Sequence, residues 1–224
     1  MSAKPRPARS KKRLFVLDDH PMMREGLSQL INHEEDLMVC GEAGTGRETV
    51  EAVGRLKPDL LLADISLPDK NGLEVIKDLR ALQPELAVLV VSMHDESLYA
   101  ERVLRAGARG YIMKHEGGRK LMDAIRQVLA GKIYVSERVS SNILETFSGR
   151  NSEDGRTVLT NLTDREFEVL QMLGLGKGTS QIAAELHLSS KTIEAHRANI
   201  KRKLGLKTGS ELVRYAVRWV ETQK

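Results

Sequence analysis

Three carboxylates, a hydroxyl and an amine stand at the ends of short apolar runs in this chain. Leu14-Phe15-Val16-Leu17 runs into Asp18-Asp19, Leu60-Leu61-Leu62-Ala63 into Asp64, Val88-Leu89-Val90-Val91 into Ser92, and Tyr111-Ile112-Met113 into Lys114. A carboxylate attacks phosphorus poorly until the phosphoryl charge is neutralised, so aspartyl-phosphate chemistry needs a metal. Magnesium suits such a cluster, because it takes oxygen ligands, keeps several waters and needs only one or two carboxylates and a carbonyl. Asp64 is then the phosphoacceptor, Asp19 and Asp64 are Mg²⁺ ligands with the Ser66 carbonyl, and Asp18 stands one step further from the ion. Lys114 balances the remaining phosphoryl charge and the Ser92 hydroxyl hydrogen-bonds a phosphoryl oxygen. Singly, each group has a plainer reading: a turn at Asp64, a helix cap at Asp18-Asp19, a turn at Ser92, a solvated Lys114. Their order along four strand ends, Asp-Asp, Asp, Ser, Lys, favours the joint reading. His20 and His94 lie near the acidic mouth, but no third His or Cys stands at ligand spacing. Asp69 and Lys70 read as loop charges.

Such a cluster needs strands that end together. Strand patterns at 13–18, 37–42, 59–63, 86–91 and 109–113 alternate with helical patterns at 21–32, 46–55, 72–82, 96–106 and 118–130. That alternation predicts a doubly wound α/β fold, a five-stranded parallel sheet with helices on both faces, which places chemistry at the carboxyl ends of the strands. Pro21 fits a first helical turn, and Gly107 and Gly131 fit helix ends. Residues 136–147 suggest a further helix and 148–156 a polar, glycine-bearing linker. From Leu162 the pattern is wholly helical. Thr163 caps 164–174, Thr179 caps 180–186, Ser189 or Ser190 caps 191–204, and Gly209 or Ser210 opens 211–222. The domains expected are a disordered basic tail (1–12), the α/β domain (13–131), a linker with a short helix (132–160) and a small all-α domain (161–224).

The net charge of +4 is unevenly spread: +6 over residues 1–13 and +4 over 157–224 leave −6 for 14–156. An acidic first domain joined to a basic second one points the second toward nucleic acid. No run is long enough to span a bilayer and the basic tail precedes no secretory apolar stretch, so no membrane partner is expected. The single cysteine, Cys40, reads as a core thiol in a reducing cytoplasm. In the helical domain, 181–186, a turn at 187–190 and 191–204 have helix-turn-helix spacing. Ile193, Ile200 and Leu204 face inward, while Lys191, Arg197, Lys201, Arg202 and Lys203 offer charge to phosphates.

Three blocks carry a resemblance over 14–131: Leu17-Asp18-Asp19-His20-Pro21, Asp64 through Gly72, and Gly107 through Lys114. They resemble the receiver domain of a two-component response regulator. Leu162 through Glu166, Ile182 through Leu186, Leu188-Ser189, Lys191 through His196 and Lys203 through Leu206 resemble the LuxR-type helix-turn-helix. All but the basic tail is thus similar to response regulators of the NarL/FixJ type. The resemblance implies a flavodoxin-like sheet in the order 2-1-3-4-5 and phosphorylation of Asp64 by a sensor histidine kinase. Mg²⁺ would be held by Asp19, Asp64 and the Ser66 carbonyl, and in the switch Ser92 moves toward the phosphoryl group while Tyr111 turns inward. It implies a transcription factor, homodimeric when phosphorylated, that meets double-stranded DNA and RNA polymerase. The phosphoacceptor takes part in its own Mg-dependent phosphotransfer and dephosphorylation without being an enzyme. Base reading falls to positions matching Glu194, Ala195 and Ala198, with Thr179, Ser189, Lys191, Thr192, Arg197, Lys201 and Lys203 around them. Glu194 suits a cytosine amine and Ala195 a thymine methyl. His196 reads as a packing or phosphate-contacting residue, and Trp219 as core or dimer interface. A magnesium-dependent phosphatase of small metabolites is the competing class, but the short loops at the strand ends build no substrate cap and the helix-turn-helix would have no task. A receiver working unphosphorylated would be expected to lack Asp19, Asp64 or Lys114, and all three are present.

Overall fold

A computed structural model of the chain describes residues 11–147, 159 and 161–221. Most of the expected basic tail and the polar centre of the expected linker lie outside the described residues. Five strands, β1 (Lys12–Leu17), β2 (Leu37–Ala43), β3 (Leu60–Ala63), β4 (Ala87–Ser92) and β5 (Gly110–Met113), form one sheet. The order is β2-β1-β3-β4-β5, every pairing is parallel, and both features match the expectation. Between and after them run α1 (Pro21–Asn32), α2 (Gly46–Leu56), α3 (Gly72–Leu82), α4 (Glu96–Ala106) and α5 (Gly118–Leu129).

The inner strands read as continuous apolar runs because helices bury both faces of the sheet. On one face Leu14, Val16, Leu60, Leu62, Leu89, Val91 and Ile112 pack with Leu27 and Ile31 of α1 and Leu121, Ile125 and Val128 of α5. The alternate residues Phe15, Leu17, Leu61, Ala63, Val88 and Val90 are buried as well. The Thr45 hydroxyl accepts the Glu48 amide at 3.3 Å to start α2, and Asn71 Oδ1 accepts the Leu73 amide at 2.9 Å to start α3. Gly107 and Gly131 end helices at φ 105° and 81°, in the left-handed region that favours glycine.

Two expectations need correction. Cys40 lies half-buried on β2, an edge strand, so it is not a core thiol, although burial pushes its pKa up. The stretch from residue 132 does not begin as linker. The Tyr134 carbonyl accepts the Tyr111 amide and the Tyr134 amide donates to the Arg109 carbonyl, both at 2.9 Å, which continues the sheet past β5.

The described residues form two compact units, one running to Met93 and resuming at Val103–Tyr134, the other holding His94–Arg102 and the chain from Val135. The start of α4 therefore groups with the second unit, where the Tyr99 hydroxyl donates to Gln171 Oε1 at 2.7 Å and Arg102 pairs with Asp164 at 3.1 Å.

The second unit also contains α6 (Glu137–Phe147), α7 (Asp164–Gly174), α8 (Thr179–Glu185), α9 (Ser190–Leu204) and α10 (Gly209–Glu221). Thr163 caps α7 in a reciprocal box, accepting the Glu166 amide at 3.3 Å while Glu166 accepts the Thr163 amide at 2.9 Å. Ser189 caps α9, as expected. Two cap assignments shift by one residue: Gly178 precedes α8, so Thr179 is its first helical residue, and the Thr208 hydroxyl accepts the Glu211 amide at the start of α10. Val169, Leu170, Ile182, Ile193, Ile200, Leu212 and Ala216 form the buried centre. Trp219 packs edge-on against Phe167 at 5.2 Å and, like Leu204, is half-buried. Among the described residues no helix is long and apolar enough to cross a membrane.

Candidate functional site: an acidic cluster and a recognition helix

The strand registry builds the acidic cluster. Leu17 pairs with Ala63, and the Asp64 amide continues that ladder by donating to the Leu17 carbonyl at 2.9 Å. Asp18 and Asp64 thus leave neighbouring strands at the same level. Ser92 pairs with Met113 at the ends of β4 and β5, so Lys114 leaves the sheet beside them. Its ammonium donates to Asp64 Oδ2 at 2.7 Å and pairs with Asp18 Oδ2 at 2.6 Å, and all three side chains are at most 5% exposed. Burial raises the Asp64 carboxyl above the usual range, and the Lys114 ammonium offsets only part of that. Burial alone would depress Lys114, yet the Asp64 and Asp18 carboxylates outweigh it and hold the ammonium above its ordinary value.

Three carboxylates against one ammonium leave an excess of two negative charges, which one divalent cation would cancel. Ligand atoms from Asp18, Asp19, His20 and Asp64 lie within 4.8 Å of one another. Asp19 Oδ1 is buried without a hydrogen-bond partner among the described residues, although His20 Nδ1 approaches it at 2.6 Å. That approach lacks hydrogen-bond direction, so a lone pair of Asp19 Oδ1 stays open to a metal. The oxygen-rich donor set fits Mg²⁺. Asp18 shares Lys114 with Asp64, and His20 stands at the acidic mouth, where its place in the sequence puts it.

The loop after Asp64 is held from both sides. The Ile65 amide donates to Asp64 Oδ1 at 2.7 Å, and the Gly72 amide donates to the Ile65 carbonyl at 2.8 Å. A Cβ on residue 72 would lie 2.1 Å from the Asp64 carbonyl oxygen, so glycine is required where α3 meets β3. Asp69 is more than a loop charge. Its carboxylate accepts the Gly46 amide at 2.9 Å and the Arg47 amide at 3.0 Å, pinning the loop to the start of α2. Those amides, together with its own and that of Lys70, hold the Asp69 carboxyl below the usual range against the opposing effect of burial. The sequence signal was a Pro-Asp pair following the strand end, but nothing in it named the partner helix. Ser92 and Tyr111 are fully buried.

On α9 the exposed residues Lys191, Glu194, Ala195 and Ala198 recur at helical spacing and define one outward face. Ile193 and Ile200 are fully buried opposite it. Several expected contacts are engaged within the unit. Lys203 Nζ reaches Glu166 Oε2 at 2.6 Å, Arg197 turns to Thr179 and Glu194, and Ser189 and Thr192 bond one another at the helix start. Lys201 is half-buried and Arg202 is exposed. Burial lowers the His196 pKa, partly opposed by the Glu166 carboxylate.

Comparison with known proteins places these features. The response regulator receiver domain family matches residues 14–126, and the luxR family of bacterial regulatory proteins matches residues 160–216. The oxygen regulatory protein NreC of Staphylococcus aureus (strain JH9) is 36% identical over 210 residues, covering 92% of this chain and 97% of that protein. A LuxR-family two-component response regulator from Aurantimonas sp. SI85-9A1 is similar at TM-score 0.57 and 31% identity, over 62% of this chain and 99% of its own. RcsB from Salmonella enterica serovar Typhimurium, bound to promoter rprA in the presence of phosphomimetic BeF3-, is similar at TM-score 0.61 and 25% identity, over 93% and 99%.

Proposed function

Because the chain belongs to the two-component response regulators of the NarL/FixJ type, a receiver joined to a LuxR-type helix-turn-helix that regulates transcription, we propose that Asp64 is its phosphorylation site and that phosphorylation switches dimerisation and sequence-specific DNA binding. The observation that carries this reading is the Lys114 ammonium set between Asp18 at 2.6 Å and Asp64 at 2.7 Å, beside the open oxygen of Asp19. In the transfer, an Asp64 carboxylate oxygen bonds to phosphorus as the bond from phosphorus to a kinase histidine nitrogen breaks. Lys114 keeps its proton and follows the charge onto the phosphoryl oxygens. Asp19, Asp64 and the Ser66 carbonyl would hold Mg²⁺, with Asp18 supporting them, and the bound ion would neutralise phosphoryl charge. The Ser92 hydroxyl then hydrogen-bonds a phosphoryl oxygen, with Tyr111 packed behind it.

The partners of this reading are a sensor histidine kinase, double-stranded DNA and RNA polymerase, in the cytoplasm. The outward face of α9 lies in the major groove, where Lys191 neutralises a phosphate and Glu194, Ala195 and Ala198 face base edges. A single module of this size makes few base contacts. Joining two in a phosphorylated homodimer makes the second binding event intramolecular and gains about 10²-fold or more.

Incubation with acetyl phosphate and Mg²⁺ should add one phosphoryl group to the wild type and none to Asp64→Asn; equal labelling of both overturns the site. Residues 157–224 alone should bind duplex DNA with steep salt dependence. Sedimentation should show a dimer after phosphorylation. An unchanged oligomeric state with higher DNA affinity would replace dimerisation by release of an occluded DNA-binding face.

A further inference from the structure

An acidic side chain on a DNA-reading face is costly unless its charge is managed, because the phosphate backbone repels it. Glu194 is the only acid in the α9 sequence, and its side chain is 58% exposed. Its charge is managed by a closed triangle. Glu194 Oε1 accepts the Thr179 hydroxyl at 2.8 Å and Arg197 Nη1 at 3.1 Å, while Arg197 Nη1 also donates to the Thr179 hydroxyl oxygen at 2.5 Å. Thr179 is the first residue of α8 and Arg197 lies one turn beyond Glu194, so two helices fix the carboxylate. The Arg197 side chain is only 21% exposed, with its guanidinium turned toward the carboxylate.

We propose that Glu194, locked by Thr179 and Arg197, sets base specificity by accepting a hydrogen bond from the N4 amine of a cytosine in the major groove. This deepens the DNA-binding reading above and rests on it. Oε1 takes both of these bonds, which leaves Oε2 as the acceptor available to a base. A carboxylate donates nothing, so it is repelled by guanine O6 and N7 and by thymine O4. Adenine offers N6, but its N7 acceptor stands beside that amine and opposes a second carboxylate oxygen. Cytosine offers an amine with no acceptor next to it in the groove. Ala195 and Ala198, exposed beside Glu194, leave room for the base edge. Arg197 is a positioning residue: it holds the carboxylate in one rotamer and cancels its charge.

The test is selection from a random duplex pool by the full chain treated with acetyl phosphate and Mg²⁺, for wild type, Glu194→Gln, Arg197→Met and Arg197→Lys. Wild type should select a C·G pair at one position of each half-site, with discrimination of about 5- to 150-fold against other pairs. Glu194→Gln should redirect that position to adenine, which a carboxamide reads through N6 and N7 together. Arg197→Met should flatten the preference at that position alone, and Arg197→Lys should restore part of it. An unchanged preference in Glu194→Gln overturns the inference while leaving DNA binding intact. Equal weakening on all sequences in Arg197→Met, with a salt slope smaller by about one, makes Arg197 a phosphate contact and overturns the lock. Failure of the wild type to bind any duplex at low salt overturns the DNA-binding reading itself.

Discussion

Replacing Asp64 by asparagine should stabilise the first unit when no divalent cation is present, although it removes one partner of a buried ion pair. At an effective dielectric near 20, unit charges within 4.8 Å of one another repel by at least ~3.5 kcal/mol, so Asp18 and Asp19 together oppose the Asp64 charge by ~7 kcal/mol or more. Lys114, at 2.7 Å, attracts it by ~6 kcal/mol on the same scale. The two nearly cancel, which leaves the cost of burying the carboxylate unopposed. Breaking a buried pair usually costs about 3–5 kcal/mol because a charge is left alone. Here Lys114 keeps Asp18 at 2.6 Å, so no ammonium is stranded. Asparagine is nearly isosteric and can still accept the Ile65 amide. The raised Asp64 pKa has the matching sign: a carboxyl whose folded pKa lies above its unfolded value destabilises the fold once pH passes both. We expect about 1–2 kcal/mol of added stability at neutral pH, read as about 5- to 30-fold slower exchange of the most protected amides in β1 and β3. Mg²⁺ should narrow the gap, because the ion stabilises the wild type more than a variant lacking one ligand. A variant that exchanges faster than wild type in a chelator would show that the ion pair outweighs the repulsion, and the argument would fail.

Asp19→Asn should weaken Mg²⁺ binding more than Asp18→Asn, because Asp19 Oδ1 is open while Asp18 is engaged with Lys114; a Mg²⁺ titration giving the reverse order would refute this. Asp69→Ala removes two bonds to the first amides of α2 and should cost the first unit about 1–2 kcal/mol, with faster exchange concentrated in the loop after Asp64 and at the start of α2. The Glu166 carboxyl, partly buried, is held below its usual range by Lys203 and the Thr163 amide, so its stabilisation is full above the unfolded carboxyl range and is lost as pH falls through the folded pKa. Acid unfolding of the second unit should therefore be less steep in Glu166→Gln, and an unchanged acid limb would exclude the pair as a contributor. Lys191→Ala should reduce the salt slope of DNA binding by about one, whereas Lys203→Met should mainly lower the stability of the second unit; equal slope changes would mean that Lys203 reaches DNA.

The fold class and the membership of the acidic cluster are legible in the amino-acid order, because both are written in local periods. Apolar runs of strand length alternating with amphipathic segments specify a parallel sheet, and a parallel sheet brings its strand ends to one edge. Asp18, Asp64, Ser92 and Lys114 could thus be grouped before any distance was known. Most helix limits were equally legible, since Pro21, Thr163 and Ser189 act on their own backbone within a turn. Tertiary structure decided which charges are spent. Lys203, Arg197 and Asp69 look alike in sequence to any solvated charge, yet they are bound to Glu166, to Glu194 with Thr179, and to the start of α2. The partners stand 37, 18 and 23 positions away for Lys203–Glu166, Arg197–Thr179 and Asp69–Gly46, beyond the reach of helical or strand periodicity. The same holds for Cys40 and for Tyr134: their burial and pairing follow from which strand forms the sheet edge and what continues it, and edge position is a property of strand order in space, which no local pattern encodes.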